Sequence, residues 1–272
     1  MKVVIAALQR LSANGICAQA VVSELVRRGH EVVWVCNHEF VSHDRQDGVE
    51  FREIDPRWVD AALARHPGRS AAHTAIVAVN RIGMLRSLGT WPLVSKGYSR
   101  RVTRAVCEAC VGADIVVGAY TQIDALIAAH EAKSRNPRLH YIAWFLDSFV
   151  GGYGPRFLSA KQLEERGKRW DRELLDNADV VVSMESARCF HMDRCVNEPW
   201  FEKFRFLDLP LLDLHRMVDC SDDPGTPKGV KTIVYAGSLP KGIRSPRFFL
   251  NVLSCMPEEP LRVVFVGDAA ND

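Results

Sequence analysis

Two cations share one short loop. Lys241 and Arg244 lie in YAGSLPKGIRSP, residues 235–246. The loop follows an apolar run, KTIVYAG, and leads into a helix start. Ser245 suits an N-cap and Pro246 the first helical position. A helix N-terminus offers unpaired N–H groups and the positive end of its dipole. A phosphate seated there would meet those donors, with Arg244 as a bidentate partner and Lys241 as a mobile point charge. Gly237 and Gly242 would let the backbone come close. The same residues also read as a solvated loop whose cations face water.

Other residues carry weaker signals. The loop Gln9–Gly15 has a single glycine, Gly15, at a helix entrance, and it lacks the GxGxxG dinucleotide fingerprint. Asn14 and Gly15 read equally as a ligand approach and as a plain strand–helix turn. Asp147, in WFLDSFVGGYGP, follows a strand and precedes Gly151, Gly152 and Gly154. It reads as an active-site acid or as a turn cap. Cys107 and Cys110 form CEAC, and Cys189, His191 and Cys195 form CxHxxxC. Two such fragments, far apart, are read as buried thiols and a surface histidine rather than a zinc site. No GxSxG elbow supports nucleophilic hydrolysis.

These residues need elements to position them. KVVIAAL (2–8), a helix over 16–28 stopped by Gly29, and EVVWVC (31–36) form a βαβ unit, so the sheet is expected to be parallel. Strands are predicted at 49–54, 114–119, 139–145 and 179–184, with helices at 99–111, 122–135 and 160–177. That alternation implies α/β, a Rossmann-like doubly wound parallel sheet. SDDPGTPKG (221–229) is a linker signal. A second βαβ follows, with TIVYAG (232–237), a helix from Ser245 and LRVVFVG (261–267). The expected division is 1–220, a linker at 221–230, and 231–272. Two strands and one helix leave bare edges and an uncovered apolar face. The second unit is therefore read as the opening of a larger domain, the alternative being a tail docked on the first.

Composition bounds the class. In 272 residues, 47% are hydrophobic and the formal net charge is +2, an ordinary globular balance that names no partner. Eight cysteines without a disulfide rhythm fit a reducing, cytoplasmic setting. Charge is nonetheless uneven. From Arg81 to Arg104 there are six bases and no acid, interleaved with Met84, Leu85, Leu88, Trp91, Leu93 and Tyr98. Residues 81–104 read as a surface for an anionic membrane, peripherally bound, or as a helical hairpin with solvated arginines. No recognition motif accompanies the charge, so nucleic acid is not expected.

Several segments together resemble GT-B fold glycosyltransferases, family 4 in particular. They are the opening strand and loop leading to SELVRRGHEVVWVC, the strand NADVVVSMESARCF, and IVYAGSLPKGIRSPRFFLNVL followed by LRVVFVGD. The resemblance implies an acceptor-side Rossmann-like domain and a donor domain left incomplete at residue 272. It implies a retaining, metal-independent hexosyltransferase moving sugar from a nucleotide-sugar to a polysaccharide or glycolipid acceptor, with no cofactor. Lys241, Arg244, Gly15, Gly237 and Ser238 would hold the donor phosphates, and Asp147 would lie near acceptor or sugar. The chain departs from the family at Ser238, where many members have Arg, and at Leu146–Asp147, where a His-Asp pair is common. The E-x7-E at Glu165 and Glu173 falls in a polar helix of the first domain and is read as chance. Two rivals remain, a non-catalytic binding module for a nucleotide, sugar or membrane, and another enzyme of this fold such as a sugar-nucleotide epimerase.

Overall fold

The computed structural model describes residues 1–10, 12–38, 46–66, 70–120, 122–145, 155, 157–208, 230–236, 246–255 and 261–266. The chain divides into two compact units, Met1–Asp213 and Leu214–Asp272. Residues 221–229 of the expected linker lie outside the described residues.

In the first unit the described strands are β1 (Lys2–Ala6), β2 (Glu31–Asn37), β3 (Val49–Ile54), β4 (Ile115–Tyr120), β5 (His140–Phe145), β6 (Val180–Met184) and β7 (Phe204–Leu207). They form one seven-stranded sheet in the order β3-β2-β1-β4-β5-β6-β7, and every pairing is parallel. The helices are α1 (Ala13–Arg27), α2 (Trp58–Arg65), α3 (Ala71–Arg86), α4 (Lys96–Ala109), α5 (Ile123–Arg135), α6 (Ala160–Leu175) and α7 (Arg188–Cys195).

Side-chain alternation explains the double winding. Val4, Ala6 and Leu8 of the first strand segment, with Val33 and Val35 of β2, join the core built by α4, α5 and α6. Val3, Ile5 and Ala7, with Val32, Trp34 and Cys36, join Cys17, Ala18 and Val22 of α1 on the other face. A strand buried on both faces reads as the unbroken apolar run seen at 2–8. Gly29 takes a positive φ of 78° and ends α1, as expected.

The sequence reading missed α2, α3, α7 and β7. The edge strand β7 is four residues long, and Phe204 and Phe206 stack at 5.3 Å as part of an aromatic cluster with Phe201 and His191. That is too short for a period-2 signal to stand out.

In the second unit, β8 (Lys231–Ala236) and β9 (Leu261–Val266) pair in parallel around α8 (Arg247–Ser254). The helix starts one residue later than expected. Pro246 occupies the N-cap position, and its carbonyl accepts from Leu250 N–H at 2.8 Å. β8 ends at Ala236 and α8 begins at Arg247, while Gly237, Ser238, Lys241, Arg244 and Ser245 between them lie outside the described residues. Among the described residues, no helix is long and apolar enough to cross a membrane.

Candidate functional site

The strand order places a switch point between β1 and β4. From β1 the chain winds outward to β2 and β3, then returns to β4 and continues the other way. Loops at the carboxyl ends of such neighbours diverge and leave a crevice. A cavity of about 370 Å³ lies there, bounded by Gln9 beyond β1 and by Tyr120 and Gln122 at the end of β4. Arg57, from the β3–α2 connection, and Asp124, from the first turn of α5, also line it. Asn80 and Met84 come from α3, and Trp91 and Ser95 from the α3–α4 connection. A hollow of about 700 Å³ shares Arg57 and Ser95 and extends past Trp58 and Arg101.

The walls are fixed by hydrogen bonds. Trp170 Nε1 donates to the Trp91 carbonyl at 3.2 Å, and Thr90 Oγ1 donates to the Leu93 carbonyl at 2.8 Å. Both hold the α3–α4 connection. Ser95 caps α4 by accepting from Tyr98 N–H. The Tyr98 hydroxyl reaches Asn37 Oδ1 at 2.5 Å and Gln122 Oε1 at 3.1 Å, tying α4 to the ends of β2 and β4. Burial pushes that phenol's pKa up, so it stays a neutral donor.

Asp124 is the unusual member. It is 7% exposed, and its Oδ1 is buried with no hydrogen-bond partner among the described residues. Burial raises its pKa, against a hydrogen bond from Ser99, its own backbone N–H and the charge of Arg57. Arg57 is itself partly buried, which opposes its charge. The guanidinium is held cationic by a bidentate pair with Asp60, at 2.7 and 2.8 Å, and by the field of Asp124. The cavity therefore sets a carboxyl with one open acceptor and a tethered guanidinium among amides, beside the apolar surfaces of Met84 and Trp91. Amphipathic walls of this kind match a polyhydroxylated ring, whose hydroxyls point outward and whose faces are apolar.

Of the residues singled out in the sequence, Gly15 and Asn14 are described and do not line the cavity. Gly15 is buried at the start of α1, and its N–H donates to Ser12 Oγ at 3.1 Å. A Cβ there would stand 2.1 Å from the Arg10 carbonyl oxygen and 2.2 Å from that of Gln9. The glycine is thus required by the turn's own packing. Asn14 Nδ2 donates to the Tyr120 carbonyl at 3.4 Å, bridging the two strand ends. Asp147 lies outside the described residues, like the cationic loop. Glu165 and Glu173 are both exposed on α6.

Burial raises the Cys107 thiol and pushes that of Cys110 up to about 12. The histidine expected at the surface is instead buried. His191 meets Ser183 Oγ through Nε2 at 3.1 Å, and burial lowers its pKa to about 4. Phe204 and Phe206 of the aromatic cluster enclose the ring.

Sequence reasoning missed Arg57, Asn80, Tyr98, Gln122 and Asp124. One signal pointed to Asp124, an acid two residues inside a helix that follows a strand adjacent to β1.

No protein-family model and no curated protein sequence matches the chain. Solved structures do. The apo structure of OtsA matches with a TM-score of 0.56 at 13% identity, covering 100% of this chain and 66% of that one. An E. coli structure described as "Trehalose-6-phosphate from E. coli bound with UDP-2-fluoro glucose" matches with a TM-score of 0.55 at 14% identity, covering 100% and 65%. The chain thus spans about two thirds of their length. At such identity the likeness is one of fold. The fold is α/β and Rossmann-like, of the GT-B type found among glycosyltransferases.

Proposed function

We propose that the chain belongs to a glycosyltransferase that moves a hexose from a nucleotide-sugar to a saccharide or lipid-linked acceptor. The observation that carries this reading is the fold likeness over the whole chain to a protein solved with UDP-2-fluoro glucose. The switch-point cavity supports it, because its walls suit a sugar. In this reading the cavity takes the acceptor. The open oxygen of Asp124 accepts from an acceptor hydroxyl, Arg57 and the amides fix the ring, and Trp91 covers an apolar face.

The donor diphosphate is assigned to the loop between β8 and α8. In this reading Gly237, Ser238, Lys241 and Arg244 hold the diphosphate, and the two cations with the helix N-terminus offset its charge as it departs, without a metal. Asp147 stands as a further candidate at the carboxyl edge of β5. Retention at the anomeric carbon, a family 4 relationship and a cytoplasmic setting belong to the same proposal.

The test is calorimetric titration with UDP-glucose and other nucleotide-sugars, followed by product analysis with oligosaccharide and glycolipid acceptors. It is run on this chain and on any longer chain that its gene encodes. Binding and transfer are expected, and Arg244→Ala is expected to weaken donor affinity by about 1.5–3 kcal/mol. No binding of any nucleotide-sugar by either chain rejects the reading.

A further inference from the structure

Helix α3 presents apolar residues on both sides. Its partly buried stripe is His73, Ile76, Val77, Asn80 and Met84, and the last two reach the cavity. The opposite stripe is Ala75, Ala78, Val79, Ile82 and Leu85. Val79 is 47%, Ile82 53% and Leu85 44% exposed, and none of the helix's 16 residues is buried. A surface helix ordinarily turns polar residues outward. Here the outward face is aliphatic, with Arg81 and Arg86 as its exposed cations.

Charge indicates what such a face meets. Residues 61–107 contain eight Lys or Arg and no Asp or Glu, in a chain whose net charge is only +2. Arg81, Arg86, Lys96, Arg100 and Arg104 are exposed, and among the described residues none of them pairs with a carboxylate. On α2, which packs against α3, Trp58 is 61% exposed. Indole rings of this kind favour the level of lipid headgroups. A second copy of the chain would bring like cations face to face, so self-association is disfavoured.

We propose that α3 docks the protein on an anionic lipid surface. Val79, Ile82 and Leu85 enter the boundary between headgroups and acyl chains. Arg81 and Arg86 sit against the lipid phosphates, and the neighbouring cations add long-range attraction. The structure also corrects which residues of 81–104 face outward. Tyr98 is buried in the core, Met84 turns to the cavity, and Leu93 packs on the core. The docking face instead begins before Arg81, at Val79. Because Asn80 and Met84 wall the cavity behind it, docking holds that cavity near the headgroup plane. This last step rests on the proposed transfer to a lipid-linked acceptor, whereas the docking surface does not.

The experiment is flotation of the full chain with phosphatidylcholine vesicles, with and without phosphatidylglycerol, at low and high salt. Binding is expected only to the anionic vesicles, with loss at high salt. Arg81→Gln and Arg86→Gln should each weaken it about fivefold. Ile82→Asp should weaken it about tenfold or more, with the unfolding midpoint of the soluble protein unchanged because the site is exposed.

Absence of flotation with anionic vesicles overturns the proposal, as does equal binding to phosphatidylcholine alone or full binding by Ile82→Asp. A dimer that Ile82→Asp dissociates, with no vesicle binding, assigns the face to a second copy and also overturns it. Flotation without sugar transfer in any assay keeps the docking surface and removes the transferase reading, so the two fail separately.

Discussion

Helix α3 and all but the last two residues of α4 lie in the same acid-free stretch, 61–107, yet they sit in the molecule in opposite ways. By composition α3 is the more apolar, reading AAHTAIVAVNRIGMLR, while α4 reads KGYSRRVTRAVCEA. The charged helix is the one that packs against the sheet. Tyr98, Val102, Val106 and Ala109 recur at three- and four-residue spacing, and all are buried together with Ser99. The apolar helix has no fully buried residue, only a partly buried stripe. Placement follows the phase of the apolar residues and not their number. A face that repeats every turn finds the sheet, whereas a helix apolar all round keeps a second face to be covered by something else. The two also divide the labour at the cavity. α4 holds it from below through Tyr98 and Ser99, and α3 closes one side.

The sharpest way to break this contrast is to place the same charge on each helix. Val106 is fully buried, and Val106→Asp would leave a carboxylate in the core without a partner. It is expected to cost more than about 4 kcal/mol in urea unfolding. Ile82→Asp on α3 should stay within about 0.5 kcal/mol of the parent. Equal losses would mean that α3 is packed in solution and the contrast is false.

The entry to α1 gives a reference in which backbone, not side chain, sets the limit. Gly15→Ala pushes a methyl into two carbonyl oxygens that belong to the same turn. A loss of about 3 kcal/mol is expected, read by the same unfolding experiment. A neutral result would show that the turn relaxes freely and that Gly15 is kept for another reason, such as a ligand's approach.

A smaller change sharpens the role of α4 as a support. Tyr98→Phe removes the hydroxyl between Asn37 Oδ1 and Gln122 Oε1 and leaves the amide oxygen that accepts its one proton short of a donor. The expected loss is about 1–2 kcal/mol, with weaker acceptor binding because Gln122 lines the cavity. Loss of stability with unchanged acceptor affinity would separate α4 from the site.

The fold was largely legible because its signals are local. Strands buried on both faces appear as runs such as KVVIAAL and EVVWVC, and Gly29 marks its own stop. The helix α3 was not legible, since the reading looks for one apolar stripe and this helix has two. The site was less legible still. Arg57, Tyr98, Gln122 and Asp124 are spread over nearly 70 positions and come together only through the switch from β1 to β4. The residues that did stand out, Lys241 and Arg244, did so because they lie three apart in sequence just before a helix-start signal. Local clustering makes such a candidate loop readable in sequence, and its residues lie outside the described ones. A cavity assembled from several separate connections offers no such signature.

The smallest predicted change in stability is the most informative about that pocket, because stability and binding should move in opposite directions. Asp124→Asn keeps the shape of the side chain and removes its charge. Burial raises the Asp124 pKa in the folded chain above its unfolded value. Between those two values the native state binds more protons than the unfolded one, so the parent loses stability as pH rises through the window. The variant has no such group and should be flat there. Below the unfolded pKa the two proteins should be alike. Above the folded pKa the variant should be the more stable, by on the order of 1 kcal/mol. Acceptor binding should fall in the same variant, because the open Oδ1 becomes part of a neutral amide that cannot carry the carboxylate's charge. A more stable protein with weaker binding would identify a carboxyl held in place for its ligand. If the Asp124→Asn protein is instead less stable at neutral pH, the Asp124 carboxylate is already satisfied within the fold and the cavity loses its central acceptor.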